Sequence, residues 1–497
     1  MKRMSFWSVL ISALLATTAL IGCSDADFAS NAGLGGEFGA TQGGVQDMGL
    51  ARELIASGQV PPAGAFTVEG MFSEHDLPLQ GEACETLLCL RYALGVAPDL
   101  SGEPSAWLQV GLSSTIDPVT HERPSLTLIA TVDVSGSMGW GYGSGDDEYP
   151  KPSSLAQAML RRVAAQLGEG DRIAIVTYGS DVKVKLGLTQ ADDQERIQAV
   201  VDGLDEGGST HMEAGMLTAL DLARQAVADR ATEQVRVMLF TDVQPNVGAT
   251  SPTEFQNIAA DMANEDIGLT VMGVGVGMGA EVLNALVNLR GGNAFSLFHR
   301  DDPAKLMVDS WPWMVSPIAY DLAVQIQPND GIVIGDAYGF PGEHRTHCGF
   351  QVATVFLSKR RGGLLIRLVN ATGGGLTGMR VAGELSYTTP AGEHIAQDIE
   401  AVYFGQQPDD RGMFFEQAGV AKTTALAILV DNMKAAAEDY GDHRQAAVRL
   451  MHQVVERFAD DAQALDDPAL LPELELARDL LDLMEQGAPQ GDLYGQY

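Results

Sequence analysis

The stretch LTLIATVDVSGSM, Leu126 to Met138, opens as an apolar run and ends as a small polar loop. Leu126–Val132 lacks strict alternation of apolar and polar residues, the pattern of a strand buried on both faces of a parallel sheet. Where the run ends, Asp133, Ser135 and Ser137 offer three short oxygen-bearing side chains. Such a set suits a hard divalent cation. Mg2+ takes oxygen ligands in a near-octahedral shell, uses few protein carboxylates and keeps positions for water or a partner's oxygen. Ser and Gly after a strand also make ordinary turns, so the reading depends on whether other segments agree.

Two segments agree. Gly207-Gly208-Ser209-Thr210 precedes a helical pattern, and Phe240-Thr241-Asp242 closes a second apolar run, Val235–Phe240. Loops that follow parallel strands gather outside the carboxyl ends of the sheet, where open α/β folds bind ligands. On these residues the segment resembles a von Willebrand factor type A domain with a metal-ion-dependent adhesion site. The resemblance implies that Asp133, Ser135, Ser137, Thr210 and Asp242 hold Mg2+, with Mn2+ or Ca2+ as alternatives. It implies hydroxyls at or near the metal, aspartates acting largely through water, and an unknown protein ligand whose Asp or Glu completes the coordination. Val243 stands where the family usually has Gly.

Working outward, further apolar runs at Ile173–Tyr178 and Leu269–Val276 alternate with helical stripes. Leu155, Met159 and Val163 form one stripe, with Ser154 and Gln157 placed as a capping box. Ile197, Val200, Val201 and Leu204 form another, and so do Met212, Met216, Leu220 and Ala223, and Phe255, Ile258 and Met262. The methionines read as core filling. The β-α alternation predicts an α/β fold over residues 126–315, a doubly wound, mostly parallel sheet. Short alternating runs in 66–125 and again in 316–415 predict antiparallel strands. Members of the resembled family often have the type A domain inserted into, or followed by, a β-sandwich; on the first arrangement the two β segments join in a single sandwich. Residues 416–497 read as a helical region, a hairpin or small bundle interrupted by Pro468 and Pro472. Residues 24–65, rich in Gly, Ala, Asp and Gln, read as a flexible tether, with Met48–Ser57 as a candidate short helix within it.

At 497 residues the chain exceeds a single core. A formal charge of −35 and a pI near 4.4 argue against nucleic acid, whose phosphates need Lys and Arg, and against docking on an anionic membrane. Lys2, Arg3 and the apolar stretch that follows read as an export signal over residues 1–23. The segment ending Leu20-Ile21-Gly22-Cys23 resembles a bacterial lipoprotein signal, which implies acylation of Cys23 and a lipid-anchored place in the cell envelope. Ser24, rather than Asp, favours the outer membrane over the inner one on that resemblance. Export exposes the remaining cysteines to an oxidising compartment. Cys84 and Cys89 are spaced for a small disulfide loop, leaving Cys348 as a thiol, with other pairings open.

The loop after the first motif holds Trp140, Tyr142, Asp146, Asp147 and Glu148, which suit a partner-binding loop or a second cation as well as a solvated surface loop. His211 reads as a loop residue. His344, His347 and Cys348 lack a fourth zinc ligand. No nucleophile elbow, phosphate loop or dinucleotide fingerprint occurs, and the chain is expected not to be an enzyme. The expected function is an envelope-anchored, divalent-metal-dependent protein-binding module of the adhesion type. The alternative is a structural component of an envelope assembly complex, with the type A domain as a clamp.

Overall fold

The structure, a computed structural model, describes residues 38–491 apart from 83–84, 117–120, 141–149, 243–245, 276–279, 312, 342–344 and 347–348. The tether expected over 24–65 does not extend past residue 37, since β1 (Phe38–Gln42), β2 (Gly44–Val45) and α1 (Gly49–Ala56) follow at once. The glycines that suggested a linker serve close approach instead. A Cβ on Gly39 would lie 1.7 Å from the Arg360 carbonyl oxygen, and Gly44 turns the chain between two sheets at φ +90°. Met48 and Leu54 are buried beyond this turn. Next come α2 (Val68–Glu74) and the long paired strands β3 (Leu88–Pro98) and β4 (Pro104–Ser114).

After β4 the chain enters a separate sheet. Its elements are β5 (Leu126–Asp133), α3 (Pro152–Gln166), β6 (Arg172–Tyr178), β7 (Val182–Gln190), α4 (Gln194–Asp202), α5 (Met212–Asp229), β8 (Gln234–Thr241), α6 (Pro252–Asn264), β9 (Ile267–Val274), α7 (Ala280–Val287), β10 (Gly292–Leu297) and α8 (Asp302–Asp309). The strand order is β2-β10-β9-β8-β5-β6-β7. All neighbours are parallel except the edge strand β7, which runs antiparallel to β6. The four predicted apolar runs are its central strands, buried along their lengths. Leu155, Met159 and Val163 of α3 cover one face, and Met216, Phe255 and Met262 of α5 and α6 cover the other. Chain order reverses direction between β5 and β8, so the crevice of this doubly wound sheet opens between their carboxyl ends. The capping box expected at Ser154 is not the start of α3, which begins at Pro152 after Lys151. Pro at a first helical position is pre-set for the helix, and Gln157 instead bonds the Leu204 carbonyl at 2.8 Å. A capping box does open α6, between Ser251 and Glu254.

The chain then returns to the strands it left. β11 (Pro317–Pro328), β12 (Ile332–Tyr338), β13 (Arg345–Thr346), β14 (Gly349–Ser358), β15 (Gly362–Asn370), β16 (Met379–Thr388), β17 (His394–Tyr403) and β18 (Phe414–Phe415) complete an antiparallel sandwich. One layer runs β18-β3-β4-β15-β12 and the other β1-β14-β11-β16-β17. β1 is the corner that links them, pairing Gly39 with Ser113 of β4 and then with Ser358 of β14. Across the open side, Tyr387 donates to the Leu88 carbonyl (3.1 Å) and Gln397 to the Leu90 carbonyl (3.0 Å). The parallel-sheet domain is thus inserted between β4 and β11 of one sandwich.

Two helical segments finish the fold, α9 (Ala418–Leu465) and α10 (Leu471–Gln486). α9 breaks at His443, whose φ −132° and ψ 45° are not helical. A straight helix would separate Lys422 from Asp467 by about 65 Å, yet they form an ion pair at 2.7 Å. The chain therefore doubles back at His443, and the region is a small bundle. Its apolar faces share a core with α1, α2 and Trp107 of β4. Buried Glu473 of α10 ties the bundle to the N-terminal helices through Arg52 (2.8 Å) and His75 (3.2 Å). Among the described residues no helix is long and apolar enough to cross a membrane.

Candidate metal centre

Asp133 is the last residue of β5, and Asp242 follows the last residue of the adjacent β8. Strand pairing of Val132 with Phe240 brings both carboxylates to the crevice where chain order reverses. Asp133 (1% exposed), Ser135, Thr210 and Asp242 are buried, and Ser137 is half-buried. Ser135 and Ser137 lie with their Oγ atoms 3.1 Å apart. Asp133 Oδ1 accepts from the Ser135 backbone N–H at 2.8 Å, and its Oδ2 faces the Thr241 hydroxyl at 3.4 Å.

The three loops are bonded to one another. Gly136 N–H donates to the Gly208 carbonyl and Gly207 N–H to the Val134 carbonyl, at 2.9 and 2.7 Å. These tie the first loop to the second. Thr210 N–H donates to Asn246 Oδ1 at 2.9 Å, while the Asn246 and Val247 N–H groups return bonds to the Thr210 carbonyl, both at 3.2 Å. These tie the second loop to the third. His211 sits between the second loop and α5 as the residue preceding the first helical turn.

The electrostatics favour a cation. Burial, reinforced by the facing Asp242 carboxylate, pushes the Asp133 carboxyl up to about 7. Tyr178, wholly buried beside it, is raised above the phenol range by burial and by Asp133, so it stays neutral. Two buried carboxylates that repel each other, ringed by hydroxyl oxygens, are what a hard divalent ion compensates. No cluster of three His, Cys, Asp or Glu side chains arranged to hold a metal occurs among the described residues. Three of the five donors at this crevice are hydroxyls. The residues present fit Mg2+ or a similar ion.

The remaining predicted residues divide as follows. Trp140, at the exit of the first loop, is 64% exposed. Tyr142, Asp146, Asp147, Glu148 and Val243 lie outside the described residues, as do Cys23, Cys84, His344, His347 and Cys348. Cys89 on β3 is disulfide-bonded. Sequence reasoning did not single out Asn246, which fixes the Thr210 backbone; an amide four residues after Asp242 was the available signal.

Comparison with known proteins supports the same segment. Residues 128–244 match the family model of the von Willebrand factor type A domain. Over 286 residues the chain is 27% identical to YfbK of Escherichia coli K12, covering 56% of this chain and 47% of YfbK. Over 222 residues it is 25% identical to inter alpha-trypsin inhibitor heavy chain 4 of Mus musculus, covering 44% of this chain and 22% of that one. The matches thus span about half of the first relative and about a fifth of the second. The solved structure of a von Willebrand factor type A protein from Catenulispora acidiphila superposes with a TM-score of 0.50 at 14% identity, over 83% of this chain and 99% of that one. The chain carries a von Willebrand factor type A domain, within an α/β architecture that has a flanking β-sandwich and a C-terminal helical region.

Proposed function

We propose that this protein is a divalent-metal-dependent protein-binding module that recognises an acidic residue of its partner. The observation that carries the reading is the meeting of Asp133, Ser135, Ser137, Thr210 and Asp242 at one crevice, on three loops hydrogen-bonded together. These five residues would hold the ion, and Mg2+ is the ion their oxygens suit best. A bound Mg2+ supplies residual positive charge that a partner's Asp or Glu can meet with a charge-assisted contact.

The chain's own residues set the conditions for that contact. Ser135, Ser137 and Thr210 contribute neutral oxygens and so leave much of the ion's charge uncancelled. Asp133 and Asp242 are both committed to the ion, which supports a binding role rather than turnover. Trp140 stands exposed beside the crevice and offers contact area to a partner. The leader ending at Cys23 supports export and lipid anchoring in the cell envelope, with the outer membrane favoured. The acidic surface suits a partner that reaches the site through the metal rather than through a broad basic patch.

Two measurements test this. Calorimetric titration of Mg2+ into the chain lacking its leader should show one site in the wild type and none in Asp133→Ala. Capture from envelope extract should recover a partner that is released by chelator and restored by Mg2+. Equal Mg2+ binding by wild type and variant, or a partner indifferent to chelator, would overturn the reading.

A further inference from the structure

At the opposite end of β8 lies a second polar site. Arg236, two residues into the strand, is 3% exposed. Its Nη1 donates to the Thr270 hydroxyl (3.0 Å) and the Gly291 carbonyl (2.9 Å). Its guanidinium carbon lies 5.4 Å from the centre of the Phe356 ring, a cation–π contact from the sandwich. Its Nε and Nη2 have no protein partner among the described residues. No carboxylate among the described residues pairs with it. Burial lowers its pKa to about 10, so it remains charged at neutral pH. A buried cation with donors to spare and no counterion is costly unless something else compensates it.

Arg236 lines a cavity of about 290 Å3 between the amino ends of the parallel strands and the sandwich. Arg290 and Tyr320 line it too, with the Arg290 guanidinium 3.8 Å from the centre of the Tyr320 ring. Burial raises the Tyr320 pKa, so its phenol stays a neutral O–H group. Glu233 on the cavity wall accepts from Ser125. Arg290 is shared with two carboxylates, Asp321 at 2.8 Å and the largely solvent-exposed Asp266 at 3.3 Å, so Arg236 is the cation there that carries no ion pair among the described residues. The room for the Arg236 head group depends on Gly268, where a Cβ would come within 2.6 Å of both the guanidinium carbon and Nη2.

We propose that this cavity is a binding site for a small oxyanion, a phosphate ester or a carboxylate, held by the free edge of Arg236 with Arg290 and Tyr320. A guanidinium fork matches two oxygens of such a group at once. The site is separate from the metal crevice, about 20 Å away along β8. A bound anion there would touch both the parallel-sheet domain and the sandwich and would stiffen the junction between them.

The test is calorimetric titration of inorganic phosphate and, separately, acetate into the full chain stripped of divalent metal and dialysed free of chelator, so that the metal crevice contributes nothing. Saturable binding of one probe is expected, and which of the two binds identifies the oxyanion class. Arg290→Gln, at the cavity mouth, should weaken it at least about tenfold, the loss of one charged hydrogen bond. Arg236→Lys keeps the charge but loses the fork, and should weaken it comparably. Thermal melts establish that both variants fold; if the lysine variant does not, Arg290→Gln decides alone. No saturable binding of either probe, or binding unchanged in folded Arg290→Gln, overturns the proposal.

Discussion

The two ends of β8 pose opposite charge problems. At its carboxyl end two buried carboxylates, Asp242 and Asp133, press on each other in a crevice that opens outward. At its amino end a buried guanidinium, Arg236, sits without a counterion in a cavity closed by a second domain. Both ends bury titratable groups whose charged form burial disfavours. Their surroundings differ: the carboxylate end faces any partner that approaches, while the arginine end is reached only between two domains of one chain. A strand can thus carry two sites of opposite polarity six residues apart, and buried titratable groups mark both.

The largest expected effect lies at the carboxylate end. Mg2+ should raise the melting temperature of the wild type, and Asp133→Ala should abolish that rise, read by calorimetric scan. A retained rise would place the metal elsewhere and break the comparison.

The next effect concerns the sign of the charge problem. In the metal-free fold the Asp133 carboxyl is raised from 3.8 to about 7. Its contribution to stability is therefore complete below the ordinary carboxylate value and lost as pH rises through about 7. Asp133→Asn removes that loss. Between pH 4 and pH 8, metal-free wild type should lose on the order of 2–4 kcal/mol more stability than the variant, measured by urea unfolding in chelator. Parallel pH profiles would show that burial and the facing Asp242 do not raise the Asp133 carboxyl.

At the other end, Gly268→Ala drives a methyl group into the Arg236 guanidinium. It should cost roughly 1–3 kcal/mol by overpacking, read by the same unfolding curve, with Mg2+ affinity unchanged. A change in Mg2+ affinity would mean that the two ends of β8 are coupled rather than independent. The smallest effect is expected at Trp140. Trp140→Ala should leave stability within about 0.5 kcal/mol while weakening partner capture in the pull-down. Unaltered capture would remove Trp140 from the binding surface.

The carboxylate end was legible in the sequence and the arginine end was not. Asp133, Ser135 and Ser137 follow directly on an apolar run, so the motif and the strand that positions it are read together. Thr210 and Asp242 add the same signal twice, because each functional loop is local in sequence. Arg236 lies within the apolar run Val235–Phe240, and nothing nearby in sequence reports its partners. Thr270, Gly291 and Phe356 reach it from later segments, and only packing brings them there. β1 was missed for a related reason. Composition cannot distinguish glycines chosen for flexibility from glycines that admit a neighbouring backbone, as Gly39 admits the Arg360 carbonyl. The edge strand β7 lacks the continuous apolar run of the central strands; its Val182–Leu186 alternation, with Lys183 and Lys185 exposed, is the pattern of an antiparallel edge. Such lysines discourage an open edge from pairing with another chain.

The corner strand β1 also determines how tension would travel. A pull arriving through residue 37 meets a segment stitched to Ser113 in one layer and to Ser358 in the other. It then passes through Gly43 and Gly44 to β2, at the rim of the parallel sheet. Load entering at Phe38 would therefore be shared at once among several hydrogen-bonded strands of two sheets.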